Sequence, residues 1–358
     1  AGPSPPISRH HCQRQPERAA ITTTGGIDIV PMFDASLKAH ASVEQQRVPL
    51  MTASDVLLVA GTHGNEVNAP WLLDEWQRTP ELIDVHGLTV QPLIGNPDAR
   101  AANRRYIDRD LNRSFLPERF ASDEGETVEL SRAKALLQRH GPDGSHPCQV
   151  ALDLHSTTAA MGSCLVVYGR RPADLALASL VQGALGLPVY LHEADDRQTG
   201  FLVECWPCGL VIEVGPVPQS LLDVRIVEQT RLAVETCLAS LAAARKATGR
   251  YPRQLVVHRH RCSLDLPRRN GHQISGLLHG ERLGRDWQPL ASEDPLFVEL
   301  SDRGLPVNQG FDGKAGDVPV FINEAAYAEK RIALSLTQRE VWPVEACWQT
   351  ALEQLLAT

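Results

Sequence analysis

A five-residue apolar run at 56–60 ends at Gly61 and is followed directly by His63 and Glu66. A run of this length and composition is typical of a strand buried on both faces. The mixed apolar and polar pattern that follows favours a helix over 66–77. A strand, a glycine turn and a helix start are the arrangement by which open α/β sheets build their ligand sites. The stretch therefore predicts an α/β sheet with a functional site at the carboxyl end of this strand.

The same alternation continues to about residue 250. Apolar runs and periodic segments predict strands at 88–95, 150–155, 164–168, 187–191 and 210–214, and helices at 126–139, 173–185 and 219–246. From Tyr251 the segments become short and turn-separated, with strands expected at 254–258, 276–280, 296–300 and 318–323 and a last helix at 344–356. We therefore predict an α/β class fold with an α/β domain over 53–250 and a smaller β-rich domain over 251–358.

Residues 1–52 carry four prolines before position 17 and show no sustained periodicity. Segments of this kind rarely bury enough apolar surface to become ordered. We predict a poorly ordered extension, with one short strand at 27–32 as its only element.

Composition limits the classes of partner. The net charge of the 358 residues is −8 and the pI is about 5.9, which argues against a general nucleic-acid or anionic-membrane binder. No apolar run approaches the roughly 20 residues of a membrane span. The eight cysteines are dispersed along a long chain, a usage that predicts a reducing, cytoplasmic location.

A histidine and a glutamate suit Zn²⁺, but a catalytic zinc site uses three protein ligands and keeps one position open. The third candidate is His155, because it also ends a predicted strand, 150–155. The alternative for His155 is a buried structural histidine. Asp153 lies two residues earlier on the same strand face and is expected to orient an imidazole, the alternative being local hydrogen bonds at the strand end.

Hydrolysis also needs a general base, and Glu213 is the best candidate. It interrupts the apolar strand 210–214, where a carboxylate is costly unless it is paired or associated with a metal. The alternative is a structural ion pair. Burial should raise its pKa toward the range in which a proton shuttle works.

An arginine-rich stretch, 103–113, offers anion recognition, because guanidinium matches a carboxylate with two parallel hydrogen bonds. A solvated surface is the better interpretation for Arg100, Arg104 and Arg109. Beside a metal triad, a functional role is favoured for Arg105, Asn112 and Arg113.

Seven motifs occur in a fixed order: 61–66 (GTHGNE), 96–97 (NP), 105–108 (RYID), 110–113 (DLNR), 153–155 (DLH), 209–216 (GLVIEVGP) and 323–327 (NEAAY). Together they closely resemble the succinylglutamate desuccinylase/aspartoacylase family. The resemblance covers about residues 55 to 330 and implies a zinc-carboxypeptidase-like mixed sheet flanked by helices, with a smaller β-rich C-terminal domain that caps the active site.

The resemblance also implies roles for individual residues. His63, Glu66 and His155 would bind one zinc ion per subunit. Arg105 would polarise the scissile carbonyl, and Glu213 would act first as base and then as acid. The residues implied to contact substrate are Arg105, Asn112, Arg113, Glu213, Glu324 and Tyr327, the last two reaching over from the C-terminal domain.

One part of the family pattern is absent. A tyrosine and an arginine that bind the substrate's side-chain carboxylate correspond by position to Thr199 and Val203, with Arg197 nearby as a replacement. This leaves the preference for aspartate open. Cys205 and Cys208 in the same region have redox or zinc-site spacing, but they precede a strand and have no second pair, so coincidence is favoured.

The predicted activity is that of a zinc-dependent amidohydrolase acting on N-acyl-L-amino acids, with N-acetyl-L-aspartate as leading substrate. The alternatives are an aminoacylase for N-acetylated aromatic or other amino acids, an N-succinylglutamate desuccinylase, a metallocarboxypeptidase and a non-catalytic zinc-binding protein. The expected partner is a small molecule, with neither nucleic acid nor membrane, and the resemblance implies a homo-oligomer.

Overall fold

The computed structural model describes residues 54–83, 87–121, 125–193, 195, 198–300, 306–309 and 314–357. These residues belong to one compact unit, Met51–Thr358. The strand expected at 27–32 lies outside the described residues.

Nine strands form the main sheet. They are β1 (Ser54–Ala60), β2 (Val90–Ile94), β3 (Cys148–Ser156), β4 (Ser163–Tyr168), β5 (Val189–His192), β6 (Cys208–Val214), β7 (Gln254–Leu264), β13 (Val318–Val320) and β14 (Leu334–Pro343). Their order is β13-β14-β7-β5-β4-β6-β3-β1-β2. The strands β6, β3, β1 and β2 run parallel, so their carboxyl ends share one edge. Strand β4 pairs antiparallel to β6.

Among the described residues, seven α-helices accompany the sheet: α1 (Asn68–Arg78), α2 (Pro97–Ala101), α3 (Pro117–Ala121), α4 (Val128–His140), α5 (Pro172–Leu185), α6 (Val224–Arg245) and α7 (Ala346–Leu356). The predicted helices at 66–77, 126–139, 173–185 and 344–356 agree with these bounds to within two residues. Helix α6 begins five residues later than expected, and Asp223 caps it by accepting a hydrogen bond from the Arg225 amide. None of the helices within the described part of the chain has the length and apolar character needed to cross a membrane.

Both faces of the sheet are buried, and alternate residues of each strand serve different cores. Val56 and Leu58 of β1 pack with α1, α5, α6 and α7, whereas Leu57 and Val59 pack in a second core with α4. The continuous apolar run is therefore explained by two buried faces. Asp153 and His155 of β3 and Glu213 of β6 lie on the second of these faces.

The C-terminal segment contributes to two kinds of sheet. Strands β7, β13 and β14 extend the main sheet, whereas β10 (Gly276–Leu278), β11 (Phe297–Leu300) and β12 (Pro306–Gln309) form a separate three-stranded sheet. Strands β8 (Arg268–Arg269) and β9 (Gln273–Ile274) form a small ribbon. The β-rich character expected of this segment is therefore present, together with an extension of the α/β sheet that the sequence did not indicate.

Candidate metal centre and active site

The glycines that follow β1 allow the chain to turn sharply at the sheet edge. Gly61 has a φ of +68°, a conformation that favours glycine. A Cβ on Gly64 would lie 2.1 Å from the backbone carbon of Ala99 in α2, so a larger residue would push the helix away. The turn delivers His63 and Glu66 to the carboxyl edge of the sheet, as the sequence predicts.

The structure brings His63, Glu66 and His155 together, with one potential ligand atom from each lying within 4.8 Å of the others. The Nδ1 atom of His63 lies 2.7 Å from a Glu66 oxygen and 3.1 Å from the Nδ1 of His155. The other Glu66 oxygen lies 3.0 Å from the same His155 nitrogen. All three side chains are buried.

The second nitrogen of each imidazole is held by a carboxylate. His63 Nε2 lies 2.9 Å from Asp110 Oδ1, and His155 Nε2 lies 2.8 Å from Asp153 Oδ2. Asp153 is fixed in turn by the Thr62 hydroxyl at 2.7 Å. When each Nε2–H donates to its carboxylate, both Nδ1 lone pairs face Glu66 and each other, an arrangement that suits a shared cation. The donor set therefore fits a zinc ion.

The charges around the triad also favour positive charge at this point. Burial opposes ionisation of Glu66, yet His63 and His155 lower its pKa well below the usual value. Burial likewise opposes a charged His155, but Asp153 and Glu66 raise the pKa of that imidazole well above its usual value. Positive charge is thus stabilised at the point where the three side chains meet.

Strand periodicity places Glu213 beside the triad. On β3 the residues at 151, 153 and 155 share a face, and His155 is paired in register with Glu213 on β6. Within the described residues, Glu213 Oε2 accepts no hydrogen bond. Burial raises the pKa of Glu213 to about 8, with Glu66 and Glu324 adding to the effect of burial. The direction agrees with the sequence prediction for a proton shuttle.

The arginine loop is shaped by Glu129 of α4, a residue that the sequence did not single out. Its carboxylate accepts hydrogen bonds from the backbone amides of Ile107, Asp108 and Arg109 at 2.6 to 3.2 Å, and from the Asn96 side chain at 2.9 Å. The loop so formed carries Arg105, whose Nη1 atom lies 3.3 Å from Glu66.

Asn112 and Arg113 follow in a 3₁₀-helix, Leu111–Arg113. The side-chain oxygen of Asn112 accepts from the Leu202 amide at 2.8 Å, so its NH₂ group is the end that can donate to a ligand. The Arg113 guanidinium lies 4.0 Å above the Phe201 ring and donates to Gln198 at 2.9 Å. Arg113 is therefore held in place before any anion arrives.

The C-terminal segment reaches the site through the loop that follows β13. Glu324 is buried, and its Oε2 atom accepts from the Thr157 hydroxyl, from Thr158 and from the Ala159 amide. Its carboxylate ties the segment to the loop after β3, so its direct contact with a substrate stays a prediction. Burial and the neighbouring Glu213 raise the pKa of Tyr327, which keeps that phenol protonated.

All nine residues predicted for the site line one cavity, together with an aromatic wall. The wall consists of Tyr168, Phe201, Phe321 and Tyr327. Sequence reasoning selected Tyr327 but missed Tyr168, Phe201 and Phe321, because these three come from distant elements and have no charge. Lys330, also missed, donates to Asp110 at 3.0 Å, and burial together with Arg113 lowers its pKa to about 8. Lys330 could have been selected from the sequence because it lies three residues after Tyr327, and the two residues share one 3₁₀-helix.

The positions that depart from the family pattern do not line the cavity. Thr199 is exposed, Val203 belongs to the second core, and Arg197 lies outside the described residues. Cys205 and Cys208 are free thiols, and burial raises the pKa of both, to about 11 for Cys205. Protonated thiols are poor nucleophiles and poor metal ligands, which agrees with their spacing being a coincidence.

Comparison with known proteins defines the class. Residues 52–241 match the succinylglutamate desuccinylase/aspartoacylase catalytic domain, and residues 253–339 match the AstE/AspA barrel-sandwich hybrid domain. The chain belongs to the succinylglutamate desuccinylase/aspartoacylase family. Membership supports deacylation of N-acyl amino acids as the class of activity.

Two sequence relatives and one solved structure illustrate the position within the family. The chain is 61% identical over 306 residues to a probable aspartoacylase of Parasynechococcus marenigrum, covering 86% of this chain and 100% of the relative. It is also 61% identical over 308 residues to one of Synechococcus sp. strain CC9605, covering 86% and 99%. Murine aminoacylase 3 superposes with a TM-score of 0.73 at 30% identity, covering 82% of this chain and 97% of that one.

Proposed function

We propose that the protein is a zinc-dependent hydrolase that removes the acyl group from N-acyl-L-amino acids. N-acetyl-L-aspartate is the leading substrate, giving acetate and L-aspartate. The observation that carries the proposal is the convergence of His63, Glu66 and His155 beside Glu213 in one cavity. The names of the 61% identical relatives support the choice of substrate.

The chain's own groups suit each step of amide hydrolysis. A zinc ion bound by the triad would supply a Lewis acid that polarises a carbonyl and promotes deprotonation of water. Glu213 accepts the proton of the attacking water and returns it to the leaving amine, and the raised pKa that burial gives it favours the second of these transfers. Arg105 stabilises the negative charge that develops on the carbonyl oxygen.

Binding of the amino-acid part is assigned to Asn112 and Arg113. The guanidinium is positioned by Phe201 and Gln198, so little side-chain freedom is lost when it meets an α-carboxylate. Glu324 and Tyr327 close the cavity from the C-terminal side. Closure of this kind disfavours a peptide substrate and therefore the metallocarboxypeptidase alternative.

The aromatic wall favours a second candidate, an aminoacylase for N-acetylated aromatic amino acids. Tyr168 and Phe201 stack at 3.8 Å and offer an apolar surface, whereas Thr199 and Val203 offer no charge to a side-chain carboxylate. The desuccinylase and non-catalytic alternatives have no comparable contact in their favour. A homo-oligomer and a cytoplasmic location stay predictions from the sequence.

The test is a comparison of rates on N-acetyl-aspartate, N-acetyl-tyrosine and N-succinyl-glutamate, with zinc-loaded protein and with chelator. We expect N-acetyl-aspartate to be hydrolysed fastest, and we expect chelator to stop the reaction. The His155→Ala variant should lose this activity and should bind one equivalent of zinc fewer than the wild type. Faster turnover of another substrate would agree with the proposed mechanism but would assign a different preferred substrate. Zinc binding without turnover on any substrate, or full activity in metal-free His155→Ala protein, would contradict the proposal.

A further inference from the structure

A second group of metal-ligating side chains lies away from the triad, where β5 and β7 run side by side. Leu191 is paired in parallel register with Arg259, which brings the following residues, His192 and His260, together. Their ring centroids are 5.2 Å apart. Asp195, in the loop after β5, faces both rings.

The three side chains are arranged around a common point. Asp195 Oδ2 lies 3.6 Å from His260 Nε2 and 4.0 Å from His192 Nε2, distances too long for hydrogen bonds. Ligand atoms around a tetrahedral zinc ion are about 3.4 Å apart, so these two separations are only a few tenths of an ångström longer than those around a bound ion, and the fourth position would be left to water. All the candidate ligand atoms lie within 4.8 Å of one another.

The three side chains of this group are shielded from solvent. The three side chains are only 7%, 7% and 3% exposed for His192, Asp195 and His260, and His192 Nε2 makes no hydrogen bond within the described residues.

A tyrosine supplies the outer contact that metal-binding histidines commonly have. The Tyr190 hydroxyl lies 2.9 Å from His260 Nδ1. When Nδ1–H donates to this hydroxyl, the Nε2 lone pair is directed toward Asp195.

We propose that His192, Asp195 and His260 bind a second divalent transition-metal ion, for which zinc is the best match. Two imidazoles and one carboxylate form a ligand set used by zinc and other first-row metals. The site lies outside the triad and goes beyond the proposed deacylase function.

A metal at this place would reinforce the wall of the substrate cavity. Asp195 accepts a backbone hydrogen bond from Gln198 at 3.0 Å, and Gln198 holds Arg113 at 2.9 Å. On the other side, Tyr168 packs against His192 at 5.6 Å between ring centroids. The ion would therefore fix the loop that positions Arg113, and its role would be structural.

The test is the zinc content of the full-length protein after saturation and dialysis, measured by elemental mass spectrometry. We expect two equivalents in the wild type, one in His155→Ala, one in His260→Gln and none in the double variant. His258→Gln is the matched control, because His258 lies two residues earlier on the same strand and packs against Trp287 instead. That control should retain two equivalents.

A second measurement does not depend on how well the His260 variant folds. Titration of His155→Ala protein with Co²⁺ should produce the visible absorption of a protein-bound ion, with an endpoint of one equivalent. The second site would be overturned if this variant bound no Co²⁺. It would also be overturned if the wild type bound one equivalent of zinc and the His155→Ala variant bound none. Neither result depends on turnover, so failure of the deacylase proposal would be seen separately in the substrate panel.

Discussion

At the scale of single residues, Glu213 makes the most direct test of the chemistry. Glutamine keeps its shape but cannot accept a proton, so we expect Glu213→Gln to lower kcat by about 10²- to 10⁴-fold, with a smaller change in KM. Steady-state kinetics on the best substrate would measure both constants. Glu228→Gln is the control, because Glu228 is exposed on helix α6 and does not line the cavity. A kcat within a few-fold of wild type would remove Glu213 as the base.

The site residues that strand patterns alone predict share one property: they follow or interrupt a recognisable strand. His63, His155 and Glu213 stand out because a polar residue next to an apolar run is conspicuous. Asp110 and Lys330 carry no such local signal. Their importance appears only when folding places Asp110 between His63 and the lysine, at 2.9 and 3.0 Å.

At the scale of elements, helix α4 acts on the site through Glu129. In Glu129→Gln one carboxylate oxygen becomes an NH₂ group facing backbone donors, which breaks hydrogen bonds to the arginine loop. We expect the free energy of unfolding to fall by about 2–4 kcal/mol, and kcat/KM to fall as Arg105 and Arg113 shift. Urea denaturation and kinetics would measure the two effects.

Glu126→Gln is the matched control for this helix, since Glu126 is exposed just before it begins. Equal stability of the two variants would show that Glu129 does not hold the loop. Sequence analysis located this helix but gave no reason to select Glu129, because an acidic residue in a first helical turn is common in any case. Only its complete burial distinguishes it.

At the scale of the whole molecule, buried neutral histidines make stability depend on pH. Burial lowers the pKa of His258 from 6.5 to about 4. The unfolded chain therefore binds a proton more readily, and the stabilisation present above pH 6.5 is lost as the pH falls toward 4. We expect His258 to cost the folded protein about 2 kcal/mol at pH 5 relative to pH 7.

The measurement compares urea denaturation of wild type and His258→Gln at the two pH values. Burial raises the pKa of Asp174 and Asp286 to about 6, so these groups act in the opposite direction and the wild-type profile alone would not isolate the histidine. The wild type should lose more stability than the variant. Parallel profiles would contradict the assignment.

The order of the strands was the least predictable feature at this scale. Local patterns located β7 and the strand that begins at Val318, but not the pairing of β5 with β7 or of β7 with β14. Such pairings join segments that are far apart in sequence, and periodicity within one segment contains no information about its partner.

The pairing of β7 with β5 has a consequence for dissecting the protein into pieces. A fragment that stopped after α6 would leave β5 as an open sheet edge and would expose the face of α5 that α7 covers. Open edges and bare apolar faces promote aggregation. Domain boundaries drawn along the sequence are therefore poor places to cut this chain, and recombinant work on the deacylase is best done with both segments in one polypeptide.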